Sequence, residues 1–165
     1  MNTGRPTKQL GERLVQRGLL TPQQLEEALA QQRTTKEFLG AILVRRRLIQ
    51  PQTLLAMLSE QFGIPHESLT PEQVDWRVVQ QFPVSAIPEG KGFPIRADAE
   101  SVTVAIANPL DAWTLSTIER AAGFRAVKAV LVLEQELEHV WRVHRQRMLD
   151  AIQARFNHGS NQTHT

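Results

Sequence analysis

The chain has 165 residues and a mass of 18.6 kDa, enough for one ordinary domain or for two small subdomains that share a core. Its 41% hydrophobic and 22% charged residues are typical of a soluble globular protein and exclude a fibrous or wholly disordered chain. Cysteine and tyrosine are absent from the sequence, which excludes disulfides, thiolate metal sites and cysteine nucleophiles. No apolar run is long enough to span a membrane, and the first residues lack the apolar core of a signal peptide. We therefore expect a cytoplasmic protein.

The charges are nearly balanced overall but unevenly distributed along the chain. The formal net charge is +2, from 19 basic and 17 acidic residues. Residues 1–61 contain nine Lys and Arg against five Asp and Glu, whereas residues 62–165 contain ten against twelve. The densest basic run is Arg45-Arg46-Arg47, which indicates a solvated helix face or, as an alternative, a nucleic-acid contact. Because the net charge is so small, we expect no DNA partner.

An internal repeat with a period of 29 residues is the strongest pattern in the sequence. Residues 10–32 align with residues 39–61, and 11 of the 23 positions are identical. In each copy a Leu-Gly step, Leu10-Gly11 or Leu39-Gly40, opens an apolar helical pattern, and a proline then begins a second helix. Because helices this short are marginally stable alone, the two helix pairs are predicted to pack as a four-helix subdomain over residues 1–62.

The two copies differ at the turn between their helices. Gly18 and the N-cap residue Thr21 of the first copy are replaced by Arg47 and Gln50 in the second. Glycine stops a helix readily and threonine caps the next one, so the second turn is less well specified by its sequence.

Residues 63–156 carry a different pattern, which predicts a small α/β subdomain. A short helix is predicted from Thr70-Pro71, followed by a turn-rich stretch of prolines and glycines between residues 83 and 94. Strands are predicted at 101–107 and 126–133, each followed by a helix, at about 112–122 and from residue 134 onward. The apolar residues expected to face inward on these two helices are Trp113, Leu115, Ile118, Ala121, Leu137, Val140, Trp141, Met148 and Ile152. The predicted fold class is therefore α+β, with residues 157–165 as a disordered tail.

Signatures of catalysis and of metal binding are missing from the sequence. No Walker A loop, Gly-x-Gly-x-x-Gly, nucleophile elbow or His-Glu-x-x-His pattern occurs. The five histidines form no i, i+4 pair, and Glu134, Glu136 and Glu138 are explained by the dipole at the start of their helix. We therefore expect no enzyme, no bound metal and no cofactor.

The two Leu-Gly steps have two interpretations. Both are predicted at the first turn of a helix, where unpaired backbone N–H groups and the dipole favour a phosphate and glycine lets it approach. Alternatively, Gly11 and Gly40 allow helices to pack closely while the leucines fill the core. The residues alone favour close packing.

The duplicated pattern resembles a known family. Leu-Gly and Leu-x-x-x-Leu-x-x-Gln recur at the 29-residue offset, and Gly-Leu-Leu between them becomes Arg47-Leu48-Ile49 in the second copy. Gln-Phe-Gly-Ile-Pro and later Asn-Pro-Leu-Asp follow. Together these are similar to the N-terminal domain of type II secretion and type IV pilus assembly ATPases, the GspE/MshE N-terminal (MshEN) family. The resemblance covers residues 8–146 of the chain. It implies a regulatory domain, here without the ATPase part, in which two successive motifs bind one cyclic di-GMP molecule.

By this resemblance, ligand contacts fall on both motifs and on one later position. They are Gln9, Leu10, Gly11, Leu25, Leu29, Gln32, Phe38, Leu39, Gly40, Leu54, Leu58, Gln61 and Asn108. The resemblance implies an arginine before each Leu-Gly, but this chain has Gln9 there in one copy and Phe38 in the other. It also has Asn108 where the family often has an aspartate. Each lost arginine–phosphate hydrogen bond costs about 1.5–3 kcal/mol, so the affinity is expected to be reduced.

Two functional hypotheses follow from this resemblance. The first is a domain that binds cyclic di-GMP and controls a secretion, pilus or exopolysaccharide system through a protein of that machine, without inserting into the membrane. The alternative is a protein docking module that kept the fold and lost the nucleotide, which the substituted arginines favour.

Overall fold

The chain folds as four N-terminal helices followed by a layer of strands and helices, the α+β class that the sequence predicts. This computed structural model describes residues 4–87, 89–123 and 125–159. Within these residues it contains seven α-helices, two short 3-10 helices at Pro71–Gln73 and Val84–Ala86, and one three-stranded sheet.

The first four helices correspond to the two copies of the repeat. They are α1 (Gly4–Gln16) and α2 (Pro22–Thr35) in the first copy, and α3 (Leu39–Arg45) and α4 (Pro51–Phe62) in the second. Helix α1 packs on α2 and α4, and α3 packs on the same two helices. The first helix of each copy therefore contacts the second helix of both copies, and the short helices bury their apolar faces together as predicted.

Two equivalent arginines also link the first and second copies of the repeat. Arg17 follows α1 and donates two hydrogen bonds of 2.8 Å to Glu60 of α4. Arg46, the equivalent residue after α3, donates one of 2.8 Å to Glu27 of α2. Because all four side chains are partly exposed to solvent, which screens their charges, the two pairs contribute little, and the apolar core does most of the stabilising.

The turns of the two copies have the same backbone but different side chains. Thr21 forms a capping box with Gln24, with hydrogen bonds of 3.1 and 2.9 Å, whereas Gln50 provides no side-chain cap for α4. Gly18 has a φ of 69°, and Arg47 takes the same left-handed region at 56°. The second turn therefore keeps its geometry without the glycine that favours it.

The sheet lies in the second half of the chain. Its strands β1 (Gly92–Ala97), β2 (Ser101–Ile106) and β3 (Ala126–Leu131) are arranged in that order, with β1 antiparallel and β3 parallel to β2. Helix α6 (Ala112–Ala122) connects β2 to β3, and α7 (Glu134–Gly159) follows β3. Residues 65–67 pair with the outer edge of β3 at its last residue, since Leu131 donates to the Pro65 carbonyl at 2.8 Å and accepts from the Glu67 amide at 3.0 Å.

Strand β1 was not predicted, because it occupies part of the stretch expected to be turns. Pro94 is tolerated inside it because β1 is an edge strand paired on one side only. A bulge between Pro94 and Arg96 releases the Ile95 carbonyl, which accepts a 2.8 Å hydrogen bond from the Asp75 amide.

The short helix predicted from Thr70-Pro71 is divided in two. Its first turn is the 3-10 helix Pro71–Gln73, and α5 (Trp76–Val79) begins separately. Asp75 is extended between them and caps α5, accepting a 3.0 Å hydrogen bond from the Arg77 amide. The polar cap therefore interrupts the helix that the apolar spacing predicts.

Trp113 was predicted to face inward, and this is wrong. Its side chain is 62% exposed, while Leu115 and Ala121 are half-buried. The buried positions of α6 are Thr114, Ile118 and Ala122, which recur every four residues and define the inner face.

Helix α7 is longer than the layer on which it packs. Its 26 residues extend about 39 Å, whereas the six-residue strands extend about 20 Å. Leu137, Val140 and Trp141 in its first half are buried, but Ile152, predicted to face inward, is 49% exposed because it lies beyond the sheet. The helix continues through Gly159, so the tail predicted from residue 157 is wrong over 157–159; residues 160–165 lie outside the described residues.

Candidate functional site

A cleft of about 370 Å³ lies between the second copy of the repeat and the end of the sheet. Its repeat wall comprises Glu37, Phe38, Ala41, Val44, Pro51, Leu54, Leu55 and Leu58. Its sheet wall comprises Gly90, Lys91, Ala107, Asn108, Asp111, Val132, Leu133, Glu134 and Gln135. The volume lies at the lower end of the range of roughly 300–1,000 Å³ found for small-molecule sites.

The repeat wall is mainly apolar because of how α3 and α4 begin. Pro51 is the first residue of α4, so Leu54, Leu55 and Leu58 follow within its first two turns on one side. Phe38 precedes α3 in extended conformation and contributes a half-buried aromatic ring. This wall is suited to the flat face of an aromatic or heteroaromatic ligand.

The polar groups of the sheet wall lie beyond the carboxyl ends of the parallel strands β2 and β3, the common position of ligand sites in α/β layers. Asn108 follows β2, and its Oδ1 accepts a 2.9 Å hydrogen bond from the Leu110 amide. Asp111 caps α6 by accepting hydrogen bonds from the amide and the hydroxyl of Thr114, at 3.0 and 2.9 Å. Both side chains are therefore held in place before any ligand arrives.

The charges around the cleft are mostly carboxylates. Lys91 is the single cation among the lining residues, and its Nζ lies 3.6 Å from Asp111 Oδ2. Glu37 is paired with Arg45, whose guanidinium donates hydrogen bonds that lower the pKa of the Glu37 carboxyl to about 2. Glu134 adds a third carboxylate at the start of α7. An anionic ligand would therefore depend on Lys91 and on neighbours such as Arg45.

Four of the predicted ligand residues line this cleft, namely Phe38, Leu54, Leu58 and Asn108. They come from two parts of the chain that the fold brings face to face. Leu39 and Gly40 are buried behind the repeat wall, and Gln61 is half-buried near the end of α4.

The predicted residues of the first motif lie elsewhere and line no part of this cleft. Leu10 and Gly11 are buried in the four-helix part, Leu25, Leu29 and Gln32 are half-buried, and Gln9 is exposed. Gln32 is the nearest link between the motifs, since its amide nitrogen donates a 3.0 Å hydrogen bond to the carbonyl of Glu37. The cleft therefore combines residues of the second motif with Asn108, and the described residues of the first motif form no part of its lining.

Each Leu-Gly glycine lies under a leucine of the next helix. A Cβ atom added at Gly11 would lie 2.5 Å from the Leu25 side chain, and one added at Gly40 would lie 2.8 Å from Leu54 and 2.7 Å from Phe38. These short distances agree with the close helix packing that the sequence favours as the role of Gly11 and Gly40. A ligand reaches these backbones only if the covering side chains move.

The prediction that both Leu-Gly steps open a helix is wrong for the first copy. Helix α1 begins at Gly4, with Pro6 in its first turn, so Leu10 and Gly11 lie inside the helix. Their amides there bond to carbonyls one turn earlier and offer nothing to a phosphate. Leu39 does begin α3, as predicted.

Several lining residues, above all Lys91 and Glu134, were not predicted from the sequence. Lys91 directly precedes β1, and without that strand nothing placed it near Asn108. The Asn-Pro-Leu-Asp segment did indicate a helix cap, which Asp111 provides.

Comparison with known proteins gives several clear similarities. The sequence profile of the MshEN domain matches residues 62–151. The type IV pilus assembly ATPase PilB of Thermus thermophilus is 32% identical over 118 residues, covering 70% of this chain and 13% of PilB. Bacteriophage adsorption protein B of Escherichia coli is 27% identical over 133 residues, covering 81% of this chain and 18% of that protein. The chain thus spans less than a fifth of either relative.

Two solved structures share the fold. A structure of MshE with cdg, cyclic di-GMP, superposes with a TM-score of 0.69 at 23% identity, covering 81% of this chain and 96% of that one. The N-terminal domain of XpsE gives 0.59 at 18% identity, covering 83% and 94%. Residues 62–165 alone are too few to supply such coverage of this chain, so the shared fold includes helices of the repeat.

The fold and the cleft define a small α+β domain in which a duplicated helix pair packs beside a three-stranded sheet. Because the MshEN profile matches more than half of the chain, the chain belongs to the MshEN domain family.

Two kinds of feature are absent from residues 4–87, 89–123 and 125–159. None of the helices there is long and apolar enough to cross a membrane. Nor do three or more His, Asp or Glu side chains gather there as ligands for a metal ion.

Proposed function

We propose that this chain is a non-enzymatic regulatory domain of the MshEN type that binds cyclic di-GMP in the cleft and controls a secretion, pilus or exopolysaccharide system. The observation that carries the proposal is that Phe38, Leu54 and Leu58 line one wall of the cleft while Asn108 lines the opposite wall. The cyclic di-GMP in the MshE structure, which has the same fold, supports the choice of ligand. The output is inferred from the pilus and adsorption proteins among the relatives.

The two walls suit the two kinds of surface on a guanine nucleotide. The Phe38 ring and the α4 leucines offer an apolar face on which a base stacks, which contributes about 1–3 kcal/mol per base. Asn108 carries an amide that can hydrogen-bond a base edge, and its loop is already fixed by the Leu110 contact. With about 370 Å³ available, part of a dinucleotide must stay outside or the cleft must widen.

The phosphates are the difficult part of the ligand. Gln9 and Phe38 replace the two arginines expected from the family, and the cleft itself has three carboxylates. Lys91 is the cation best placed to compensate, because its ammonium lies in the cleft and is bound only loosely, at 3.6 Å, to Asp111. We therefore propose a phosphate contact at Lys91 and an affinity below that of the arginine-containing motif.

Isothermal titration calorimetry with cyclic di-GMP tests the proposal. At about 100 µM ligand even a Kd near 10 µM gives a measurable heat, with MshE as the positive control. Lys91→Gln should weaken binding about tenfold, because one charge-assisted hydrogen bond is lost at a partly exposed site. Lys128→Gln, on the exposed face of β3, is the matched control and should leave the affinity unchanged. No heat from the wild type while MshE responds would contradict the proposal.

A second candidate function is a docking module that no longer binds nucleotide. It is favoured by the covering of Gly11 and Gly40 with side chains and by the acidic lining of the cleft. In this case calorimetry gives no heat, and a pull-down from the source organism retains a partner that a Leu55→Asp variant of the cleft wall loses. If the wild type and the Leu55→Asp variant retain the same partner equally well, the docking surface lies outside the cleft.

A further inference from the structure

A second cleft, of about 280 Å³, lies between the middle of α7 and the segment that begins with α5. Its described lining residues are Trp76, Val79, Gln80, Phe82, Ile87, His144, Arg147, Met148 and Ala151. None of them lines the first cleft, the one beside α3 and α4. Along α7, Gln135 of the first cleft and His144 of the second are about 14 Å apart, so the two cavities are separate sites.

The floor of the second cleft is apolar and belongs to the packed core. Val79, Phe82 and Ile87 are only 4–5% exposed. The half-buried Trp76 ring contacts Phe93 edge-on, with ring centroids 6.0 Å apart. Because core packing already fixes these side chains, a ligand that enters the second cleft orders few of them and loses little binding energy to entropy.

Arg147 carries the single charge among the described lining residues of the second cleft. Its guanidinium carbon lies 4.5 Å from the centroid of the Trp76 ring. Burial lowers the pKa of the half-buried His144 imidazole, with a smaller contribution from Arg147, so His144 is mostly neutral at neutral pH. No carboxylate occurs in that lining, whereas the first cleft has three. The second cleft therefore combines an apolar floor with one exposed positive charge.

The contact with Trp76 leaves the hydrogen-bond donors of Arg147 available. A guanidinium that lies over an aromatic ring keeps its N–H groups in its own plane, directed to the side of the contact. Within residues 4–87, 89–123 and 125–159, Arg147 forms no hydrogen bond or ion pair. A carboxylate can accept two of these N–H groups side by side. Trp76 thus orients a donor pair that has no acceptor within the described chain.

We infer that the second cleft binds a small aromatic carboxylate. The ring of the ligand lies against Trp76 and Phe82, which favour a flat aromatic partner, and its carboxylate accepts hydrogen bonds from Arg147. The complementary charge selects an acid over a neutral compound of the same shape.

The size and the charge of the second cleft exclude larger and more highly charged ligands. Its volume lies just below the range of roughly 300–1,000 Å³ that drug-sized ligands occupy, so one ring with a short acidic chain fits better than a nucleotide. A phosphate monoester carries about −1.5 to −2 charges at pH 7, which one guanidinium does not balance. This inference is independent of cyclic di-GMP binding, because it concerns a different cavity and a different ligand.

NMR titration of the full chain with 3-phenylpropionate tests the inference, with 3-phenylpropanol as the uncharged analogue. The acid should bind with a Kd below about 1 mM and shift the indole N–H signal of Trp76. The signal of Trp113, which is 62% exposed on α6, is an internal control and should not move. The alcohol should bind about tenfold more weakly, because it forms no charge-assisted pair with Arg147.

Arg147→Gln separates the role of the charge from that of the apolar floor. This variant should bind the acid about tenfold more weakly than the wild type and should bind the alcohol as the wild type does. Unchanged alcohol binding also shows that the cleft of the variant is folded. Arg142→Gln, at another exposed arginine of α7 outside the cleft lining, is the matched control and should alter neither affinity.

Three results would overturn the inference. The first is an unshifted Trp76 signal at about 10 mM acid, and the second is equal affinity of the wild type and Arg147→Gln for the acid. The third is a set of shifts centred on Lys91 and Asn108, which would place the acid in the first cleft. Calorimetry with cyclic di-GMP reports on the first cleft, so a failure of the proposed function is seen separately from a failure of this inference.

Discussion

The first and second copies of the repeat pair their helices in the same way but lie in different surroundings. The second copy forms one wall of the cleft beside the sheet, and the first copy lines no part of it. Leu58 is accordingly buried to 1% exposure, whereas Leu29, the equivalent residue of the first copy, is only half-buried.

The differences between the copies mark the cleft. Three polar residues of the first copy, Gln9, Glu12 and Glu26, correspond to Phe38, Ala41 and Leu55 of the second, and all three replacements line the cavity. Identical positions such as Leu54 and Leu58 also line the cavity, so these three changes are what makes the surface of the second copy more apolar there than that of the first. Duplication therefore supplies its own internal comparison.

The largest expected contrast between the copies concerns their glycines. Gly40→Ala should destabilise the protein by about 1–2 kcal/mol, because the added methyl meets both the Phe38 ring and Leu54. Gly11→Ala should cost less than about 1 kcal/mol, since its nearest contacts, although as short as 2.5 Å, are all with the flexible side chain of Leu25, and alanine favours the interior of a helix over glycine.

Urea denaturation of the two variants measures this contrast. A Leu54→Ala background should remove part of the cost of Gly40→Ala, because it empties the space that the methyl needs. Equal losses at both glycines, unaffected by that background, would show that contact with the neighbouring side chains is not the cause.

Periodicity and duplication were sufficient to predict the α+β class and the four paired helices. They failed at β1, where Pro94 and the neighbouring glycines have turn propensity but the edge position allows a strand. They also failed at Ile152, because apolar spacing shows one face of a helix without showing where the layer beneath it ends.

The candidate site was only partly predictable for a similar reason. Phe38, Leu54 and Leu58 lie on the repeat pattern, and Asn108 follows from the resemblance. Lys91 and Glu134 enter the cleft only because tertiary packing brings the ends of the sheet against α3 and α4. No local sequence pattern contains that information.

The inter-helix turns give the next contrast. Arg47→Gly should stabilise the protein by about 0.5–1 kcal/mol, because arginine is strained at a φ of 56°. Gly18→Ala, at the equivalent turn, should destabilise it by about 1 kcal/mol. Thermal unfolding detects both changes, and a lower melting temperature for Arg47→Gly would mean that its side chain has a role that outweighs the strain.

The smallest expected effect concerns Glu37, whose equivalent in the first copy is Lys8. Arg45 lowers the pKa of Glu37 to about 2 from an ordinary value of 4.5, so the pair contributes stability that is present above about pH 4.5 and is lost as the pH falls toward 2. Carboxyl NMR should show Glu37 titrating near pH 2 in the wild type and near its ordinary value in Arg45→Gln, while Arg33→Gln should leave it unchanged.

Because Glu37 is then ionised at every pH used for nucleotide binding, Glu37→Gln should also raise the affinity for an anionic ligand by removing a carboxylate from the cleft and freeing Arg45. An unchanged affinity in that variant would mean that the ligand's phosphates lie away from the rim where Glu37 and Arg45 meet.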